Sequence, residues 1–329
     1  MNQLPLVRMR YADSIARELD ALGAPVERLL NNVSLSREML ACRDDFISTS
    51  QLWRLYALAA DYTGDFDIGL EAGLTPLEEH SQFGQNLLFA PTLFQAFEMF
   101  CRMAPSELTN AEFSFKREGD LAWFCAGPVH GSPDEQLQIG LYRIAMFIQL
   151  VRWVAGTDWR PRRVRLQVAS LEGCESDLVR GANLEFNCRE PAIEVTPELL
   201  GRELLIEPPQ SDCVPGSPEN LSLDFRSNLK TLLRTQIRGR RLRINEVANA
   251  LDLSVRTLQR RLAEHGLVYS ELVEQTRVDL ARELLRNPDL RIREIASEAG
   301  YAESSHFTRA FRRVTGITPR DYRASATLR

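Results

Sequence analysis

Ile244-Asn-Glu-Val247-Ala248-Asn-Ala-Leu251, followed by Leu258-Gln259-Arg260 and Leu262, has a second version downstream: Ile292-Arg-Glu-Ile295-Ala296-Ser-Glu-Ala299, followed by Phe307-Thr308-Arg309 and Phe311. Ile244 to Ile292 is 48 residues and Arg260 to Arg309 is 49, so the second copy carries one extra residue at its turn. A duplication this regular predicts one structural unit used twice. Ile244, Val247, Ala248 and Leu251 fall at i, i+3, i+4 and i+7, the spacing of one helical face, and Ile292, Ile295, Ala296 and Ala299 repeat it. Ser254 is the expected N-cap of the next helix in the first copy, and Gly300 supplies the left-handed residue of a sharp turn in the second.

The second helix of each copy hides Leu258 and Leu262, or Phe307 and Phe311. Its other face carries Arg256, Thr257, Gln259, Arg260 and Arg261, or Ser304, Ser305, His306, Thr308, Arg309, Arg312 and Arg313. Helix, turn, and a polar Arg-bearing helix is the arrangement that enters a DNA major groove. A plain bundle with solvated faces explains one such pair as well, and explains the same pair twice less readily. Between the copies, Ser270 to Arg286 reads as a helix with Leu272, Val273, Leu280 and Leu284 inward. At about 1.5 Å per residue it spans roughly 25 Å, a strut able to set two reading helices in successive grooves.

The run Gly300-Tyr301-Ala-Glu-Ser-Ser305-His306-Phe307-Thr-Arg309-Ala-Phe311-Arg312-Arg313, continued by Thr315-Gly316-Ile-Thr318-Pro319-Arg-Asp-Tyr322-Arg323, resembles the signature of the AraC/XylS family of bacterial transcription regulators. Ser254-Val-Arg-Thr-Leu-Gln-Arg-Arg-Leu262 with Gly266 matches it in the first copy, and the resemblance covers about the last hundred residues. It implies an all-α domain with two helix-turn-helix motifs, at about 244–264 and 292–313, joined by a linker helix. By position in the family motif, Arg256, Gln259 and Arg260 face bases in one groove, and Ser304, Ser305 and Arg309 in the next. Arg pairs bidentately with guanine, and Gln with adenine. Arg261, Arg312 and Arg313 are expected on the phosphate backbone. His306 either touches a base edge or phosphate, or packs at the helix start.

Charge is segregated along the chain. The whole carries −5, yet from Leu221 onward there are 21 Lys and Arg against 13 Asp and Glu, a net of +8, which leaves −13 before it. A basic tail suits a polyanion, and the acidic part does not. The basic run Arg238-Gly-Arg240-Arg241-Leu-Arg243 is either a solvated surface or a phosphate-contacting arm. Glu207-Pro208-Pro209 through Pro215-Gly216-Ser-Pro218 reads as a linker. The expected division is therefore 1–206, linker 207–220, and 221–329.

Residues 1–110 read mostly as helices: Tyr11 to Leu22, Leu29 to Leu40 with an interruption, Gln51 to Ala59 behind a Ser48-Thr49-Ser50 cap, Asp67 to Ala72, Phe83 to Leu88, and Leu93 to Met103. Phe94, Phe97 and Phe100 form a stripe that reads as core rather than a cofactor box. The period then changes. Ala111 to Lys116 and Leu121 to Cys125 predict a hairpin around Gly119-Asp120; Pro133-Asp134 opens a long helix to about Ala155. Arg163 to Val168 is an alternating strand, Leu184 to Phe186 and Ala192 to Val195 are short strands near a sheet edge, and Glu198 to Leu204 a last helix. Strands after a helical block predict an α+β domain. The run from Leu184-Glu-Phe186-Asn187 to Ala192-Ile193-Glu-Val195-Thr-Pro197-Glu-Leu199-Leu200 resembles the sensor and dimerisation region of one branch of the family, in which an α+β domain replaces the sugar-binding β-barrel.

Together these imply a cytoplasmic, ligand-responsive transcription regulator, weighted toward activation. It would act on double-stranded promoter DNA as a homodimer with RNA polymerase. Its small-molecule effector would sit in the N-terminal domain, where Trp53, Tyr56, Trp123, Tyr142 and Phe147 are candidate pocket walls, although core packing is the more ordinary role for each. No cofactor, metal or catalytic residue is expected. The four histidines, at 80, 130, 265 and 306, sit in no metal or nucleophile motif. Gly119, Gly127 and Gly131 form no phosphate loop, and no Cys has the Pro-Cys-His-Arg setting of an alkylation-repair methyltransferase, the alternative that shares such a DNA-binding module. A sequence-indifferent architectural protein is the other alternative. The six cysteines are scattered, as reduced thiols would be. The most apolar stretch, Ile139 to Ala155, is interrupted by Arg143 and Arg152, too short and charged to span a membrane.

Overall fold

Where the sequence changes period, the chain changes from helix to sheet. The computed structural model describes residues 4–80, 82–110, 112–171, 176–206 and 224–326. These fold as two compact units. One draws on 7–44 and 49–206, the other on 4–6, 45–48 and 224–326. The expected linker, 207–220, lies outside the described residues.

In the first unit, helices α1 (Arg10–Ala21), α2 (Val26–Asn32), α3 (Arg37–Leu40), α4 (Thr49–Thr63), α5 (Ile68–Ala72), α6 (Leu77–His80), α7 (Gln82–Leu87) and α8 (Leu93–Met103) precede the hairpin. Two three-residue strands, β1 (Leu6–Arg8) and β2 (Phe46–Ser48), come before the expected start of the sheet. They are too short for alternation to announce them. Ser48 is consequently a strand residue and not part of a helix cap; α4 begins directly at Thr49.

Strands β3 (Phe113–Glu118), β4 (Leu121–Ala126), β5 (Arg163–Arg165), β6 (Asn183–Glu185) and β7 (Ala192–Val195) form a sheet of order β3-β4-β7-β5-β6, antiparallel except for β5 with β6. The hairpin pairs Phe113 with Ala126 and Glu118 with Leu121, leaving Gly119-Asp120 as its turn, with Gly119 at φ +60°. β7 is central, not peripheral as its shortness suggested, and all four of its residues are buried. Alternation puts Trp123 and Cys125 on one face of β4 and Phe124 on the other. There Phe124 stacks on Phe97 at 3.7 Å, inside a cluster with Phe100, Phe113 and Phe147. The Phe97 and Phe100 stripe is core, as read.

α9 (Pro133–Ala155) is the axis of this unit. A helix apolar almost all round must be covered all round, and α4, α5, α8, β7 and the short α10 (Pro197–Leu200) pack on it. Its start is a capping box on Ser132, one residue before the expected Pro133: Ser132 Oγ accepts from the Glu135 amide (3.3 Å) and Glu135 accepts from the Ser132 amide (2.8 Å). α5 approaches so closely that a Cβ on Gly73 would lie 2.6 Å from the Tyr142 carbonyl.

The second unit contains α11 (Phe225–Ile237), α12 (Ile244–Ala250), α13 (Val255–Glu264), α14 (Tyr269–Leu284), α15 (Ile292–Glu298), α16 (Ser304–Thr315) and α17 (Pro319–Ala326). The inter-repeat helix starts at Tyr269 with Val268 as N-cap, so Ser270 does not cap it. Leu272, Val273 and Leu280 are buried as expected. Val278, Ala281 and Leu285 of α14 and its end join Ile295, Ala296, Ala299, Phe307 and Phe311 in one core. α11 lies along α14, tied by Lys230–Asp279 (3.0 Å) and Arg234–Glu283.

Gly300 has φ +74°, and a Cβ there would meet the Arg240 carbonyl at 2.5 Å and the Ile237 carbonyl at 3.0 Å. Gly316, at φ +83°, faces open space. Gly316→Ala is therefore expected to cost about 1 kcal/mol, the strain of left-handed backbone alone, and Gly300→Ala distinctly more. Denaturant titration of the full-length protein compares them; equal costs would show that the carbonyl contact yields freely.

Candidate functional site

The two copies fold alike because their signals are alike. Helices α12 and α15 each open with a Glu at the third helical position accepting from the residue before the helix: Arg243 N to Glu246 and Arg291 N to Glu294, both 2.7 Å. Leu251–Ser254 turns the first copy, with Asp252 at φ +54°; Ala299–Glu303 turns the second, with Gly300. Ser254 caps α13 as read, accepting from the Thr257 amide at 3.1 Å and meeting the Thr257 hydroxyl at 2.8 Å. α16 lacks that cap. Glu303 stands at its N-cap and accepts instead from the Ser305 hydroxyl (3.2 Å), with His306 Nε2 at 3.7 Å.

Leu258 and Leu262 are buried under α13, and Phe307 and Phe311 under α16. On the opposite faces Arg256, Gln259 and Arg260 are exposed, as are Ser305, His306, Arg309 and Arg312. Thr257, Arg261, Ser304 and Thr308 are half-buried at the margins; Thr308 Oγ1 donates to the Ser304 carbonyl (2.9 Å). Arg260 touches Glu264 one turn on, at 3.6 Å, a surface pair too weak to hold it. Arg309 has no carboxylate within ion-pair distance among the described residues. Arg313 pairs with Glu274 of α14.

Beside α16 runs a cleft lined by Arg241, Arg277, Arg309 and Arg313, with Glu274. Arg241 and Arg277 lie outside the quoted motifs. Arg277 sits on α14 over the Tyr301 ring (5.2 Å), so only folding brings it to α16. The basic run divides. Arg238 pairs with Asp45 at 3.2 Å, and Arg240 donates to the Gln236 carbonyl and side chain, while Arg241 and Arg243 remain exposed.

α11 touches both copies. At its start Phe225 stacks on His265, just past α13, at 4.6 Å. Beyond its end the Gly239 amide donates to the Glu298 carbonyl (3.1 Å), and Gly300 sits against Ile237 and Arg240. Thirteen residues at about 1.5 Å each give roughly 20 Å. α14 thus has a second strut beside it.

The first unit holds an apolar cavity with about 520 Å³ of space, its open mouth included. Of the five aromatic candidates, Trp53 and Tyr142 line it. Tyr56 is buried behind, its ring edge-on to Tyr142 at 5.6 Å. Phe147 belongs to the phenylalanine cluster, and Trp123 lies under the Arg165 guanidinium at 3.7 Å. Besides Tyr142, the polar lining residues are Tyr11, Thr49, Glu107 and Arg143, none of them among the five. Arg143 did carry a signal, as one of the two cations that interrupt the apolar run of α9. Its Nη1 donates to the Gly127 carbonyl at 2.6 Å. Burial pushes its guanidinium down to about 10, with Glu112 opposing, so it stays charged at neutral pH. Glu107 is held by Arg10 (3.6 Å), Arg8 (3.8 Å) and the Tyr11 hydroxyl.

The described cysteines Cys101 and Cys125 have thiols pushed up, to about 11 and about 12, by burial, the opposite of an activated nucleophile. Among the described residues no cluster of His, Cys, Asp and Glu suits a metal, and no helix is long and apolar enough to cross a membrane.

Two family models match this chain. One, described as the arabinose-binding domain of AraC transcription regulator, N-terminal, covers residues 23–204, more than half of the chain. The other, a helix-turn-helix domain, covers 247–325. VirS of Mycobacterium tuberculosis, an HTH-type transcriptional regulator, is 46% identical over 78 residues, 24% of this chain and 23% of that protein. RhaS of Salmonella newport, an HTH-type transcriptional activator, is 42% identical over 78 residues, 23% of this chain and 28% of that protein. The matching stretch spans about a quarter of these relatives' length. The crystal structure of the transcriptional regulator CdpR from Pseudomonas aeruginosa aligns over 90% of this chain and 97% of its own, at 24% identity and TM-score 0.39.

The Ser254 cap is the local feature that starts α13. Ser254→Ala is expected to lower stability by about 1 kcal/mol, read as a shifted denaturation midpoint, and Ser254→Asp to restore it. A wild-type midpoint in the alanine variant would show that the turn holds the helix start unaided.

Proposed function

The chain belongs to the AraC family of transcription regulators, and on that premise we propose that α13 and α16 read two short blocks of promoter DNA about one helical turn apart. The observation that carries this is the common register of Arg260 and Arg309: exposed arginines two residues after a buried Leu258 or Phe307, on duplicated helices splinted by α11 and α14. Arg256, Gln259, Ser304 and Ser305 share in the base contacts. Thr257 and Thr308, at the margins of the two helices, and Arg261, Arg312, Arg313 and His306 position the backbone, with Arg241 and Arg277 adding charge beside α16. A phosphate there competes with Glu274 for Arg313.

The N-terminal unit is then the sensor. A small-molecule effector held in the Trp53–Tyr142 cavity biases the protein only if it binds the active and inactive states with different affinity. Homodimerisation, contact with RNA polymerase and net activation complete the proposal.

Sequencing of genomic fragments retained by the purified protein identifies the operator. On it, Arg260→Ala and Arg309→Ala are each expected to cost about 1–3 kcal/mol and relax discrimination at one base position, in different blocks. Competition with random duplex at fixed salt should leave a specific advantage of about 10³ or more. Unaltered footprints and affinity in both variants would refute the assignment, and parity with random duplex would favour an architectural protein.

A further inference from the structure

The effector cavity has an electrical asymmetry that narrows what it can hold. Its walls include Leu52, Trp53, Phe83, Phe100, Ile139 and Met146. Five side chains with hydroxyl or charged groups interrupt them: Tyr11, Thr49, Glu107, Tyr142 and Arg143. Glu107 is already matched by Arg8, Arg10 and Tyr11. Arg143 is matched only from a distance: it is 8% exposed and donates to the neutral Gly127 carbonyl, and although the Glu112 charge acts on it, no carboxylate lies within ion-pair distance among the described residues. Phe113, also in the lining, lies 5.8 Å from its guanidinium carbon. The Thr49 hydroxyl and the Tyr142 hydroxyl are buried without a hydrogen-bond partner among the described residues. Buried donors are ordinarily satisfied, and a buried cation without a counter-charge in direct contact is costly. Here one cation and two hydroxyls share one apolar chamber, and a single anionic head would serve all three.

Resting on the reading of this unit as the sensor, we propose that the cavity binds an amphipathic monocarboxylate: an apolar body against Trp53, Phe100 and Met146, and a carboxylate on Arg143, with Thr49 and Tyr142 donating to it. A guanidinium and two hydroxyls offer hydrogens in several directions to an acceptor-only head. The rim supplies no second free cation among the lining residues, which disfavours a dicarboxylate. Aliphatic and aromatic acids share this chemistry, and the probes separate them.

The test uses the full-length protein without DNA, titrated with octanoate, 3-phenylpropionate, octanol and octylamine, read by Trp fluorescence and by calorimetry. At least one acid is expected to bind about tenfold or more tighter than octanol, the worth of a charge-assisted hydrogen bond, and octylamine not to bind. Arg143→Gln should erase the acid-over-alcohol preference. Should that variant misfold, Thr49→Val is expected to weaken the acid severalfold while sparing octanol, and Met146→Trp to exclude both. Octanol matching both acids, or an acid whose affinity survives Arg143→Gln and Met146→Trp, would overturn the proposal. Operator binding is measured separately on protein without ligand. Loss of the acid site therefore leaves the DNA reading standing, and an absent operator leaves the acid site to be judged by its own titration.

Discussion

The close approach of Gly300 to the carbonyls of Ile237 and Arg240 is the constraint on which the tail depends. It lets the end of α11 sit against the turn of the second repeat, where any side chain would hold it off. The same helix begins with Phe225 stacked on His265 beside the first repeat. A rod gripped at both ends fixes a distance far better than a tether, because closing the gap costs no further chain entropy. α14 runs alongside, and the Lys230–Asp279 and Arg234–Glu283 pairs keep the two rods in register. Individually such half-exposed pairs are worth little; the apolar seam does the holding and the pairs select its alignment.

In the N-terminal unit the organising element is α9. Its Gln138 and Gln149 bond the backbone around α5: Gln138 takes the Gly69 amide and gives to the Phe66 carbonyl, while Gln149 gives to the Gly73 and Thr75 carbonyls. Polar groups buried this way must be satisfied, and doing so fixes which turn of α5 meets which turn of α9. Tyr142 and Arg143 are thereby carried to the cavity wall by a helix whose register is set from the other side. The matched model names an arabinose-binding domain. The cavity walls combine phenylalanine, tryptophan, leucine and methionine with Tyr11, Thr49, Glu107, Tyr142 and Arg143.

Much of this was legible before folding because the relevant signals are local. The spacing of Ile244, Val247, Ala248 and Leu251, the cap at Ser254 and the glycine at 300 each specify a few neighbouring residues, and each is found as read. Phe97 and Phe100 were legible as core for the same reason. What escaped was contact between distant segments. β7 gave no sign that it sits between β4 and β5, because a four-residue strand looks alike at an edge or a centre. Thr49 and Arg143 meet across a cavity although 94 residues separate them in sequence. Arg277 joins Arg309 only because α14 packs under α16. Aromatic character alone does not distinguish the lining Trp53 from the sheet-bound Trp123.

The strand Phe46–Ser48 has a consequence for how this protein is cut apart. Asp45 pairs with Arg238, the Ser48 hydroxyl donates to the Ala250 carbonyl, and β2 packs on α11. These four residues, like 4–6, therefore belong to a body whose main described part, 224–326, begins some 180 positions later. Severing the polypeptide in its proline-rich stretch, the obvious place to graft these reading helices onto a foreign sensor, would discard that patch and bare the side of α11 it covers. A chimaera that retained its own Asp45–Ser48 equivalent would keep the splint dressed.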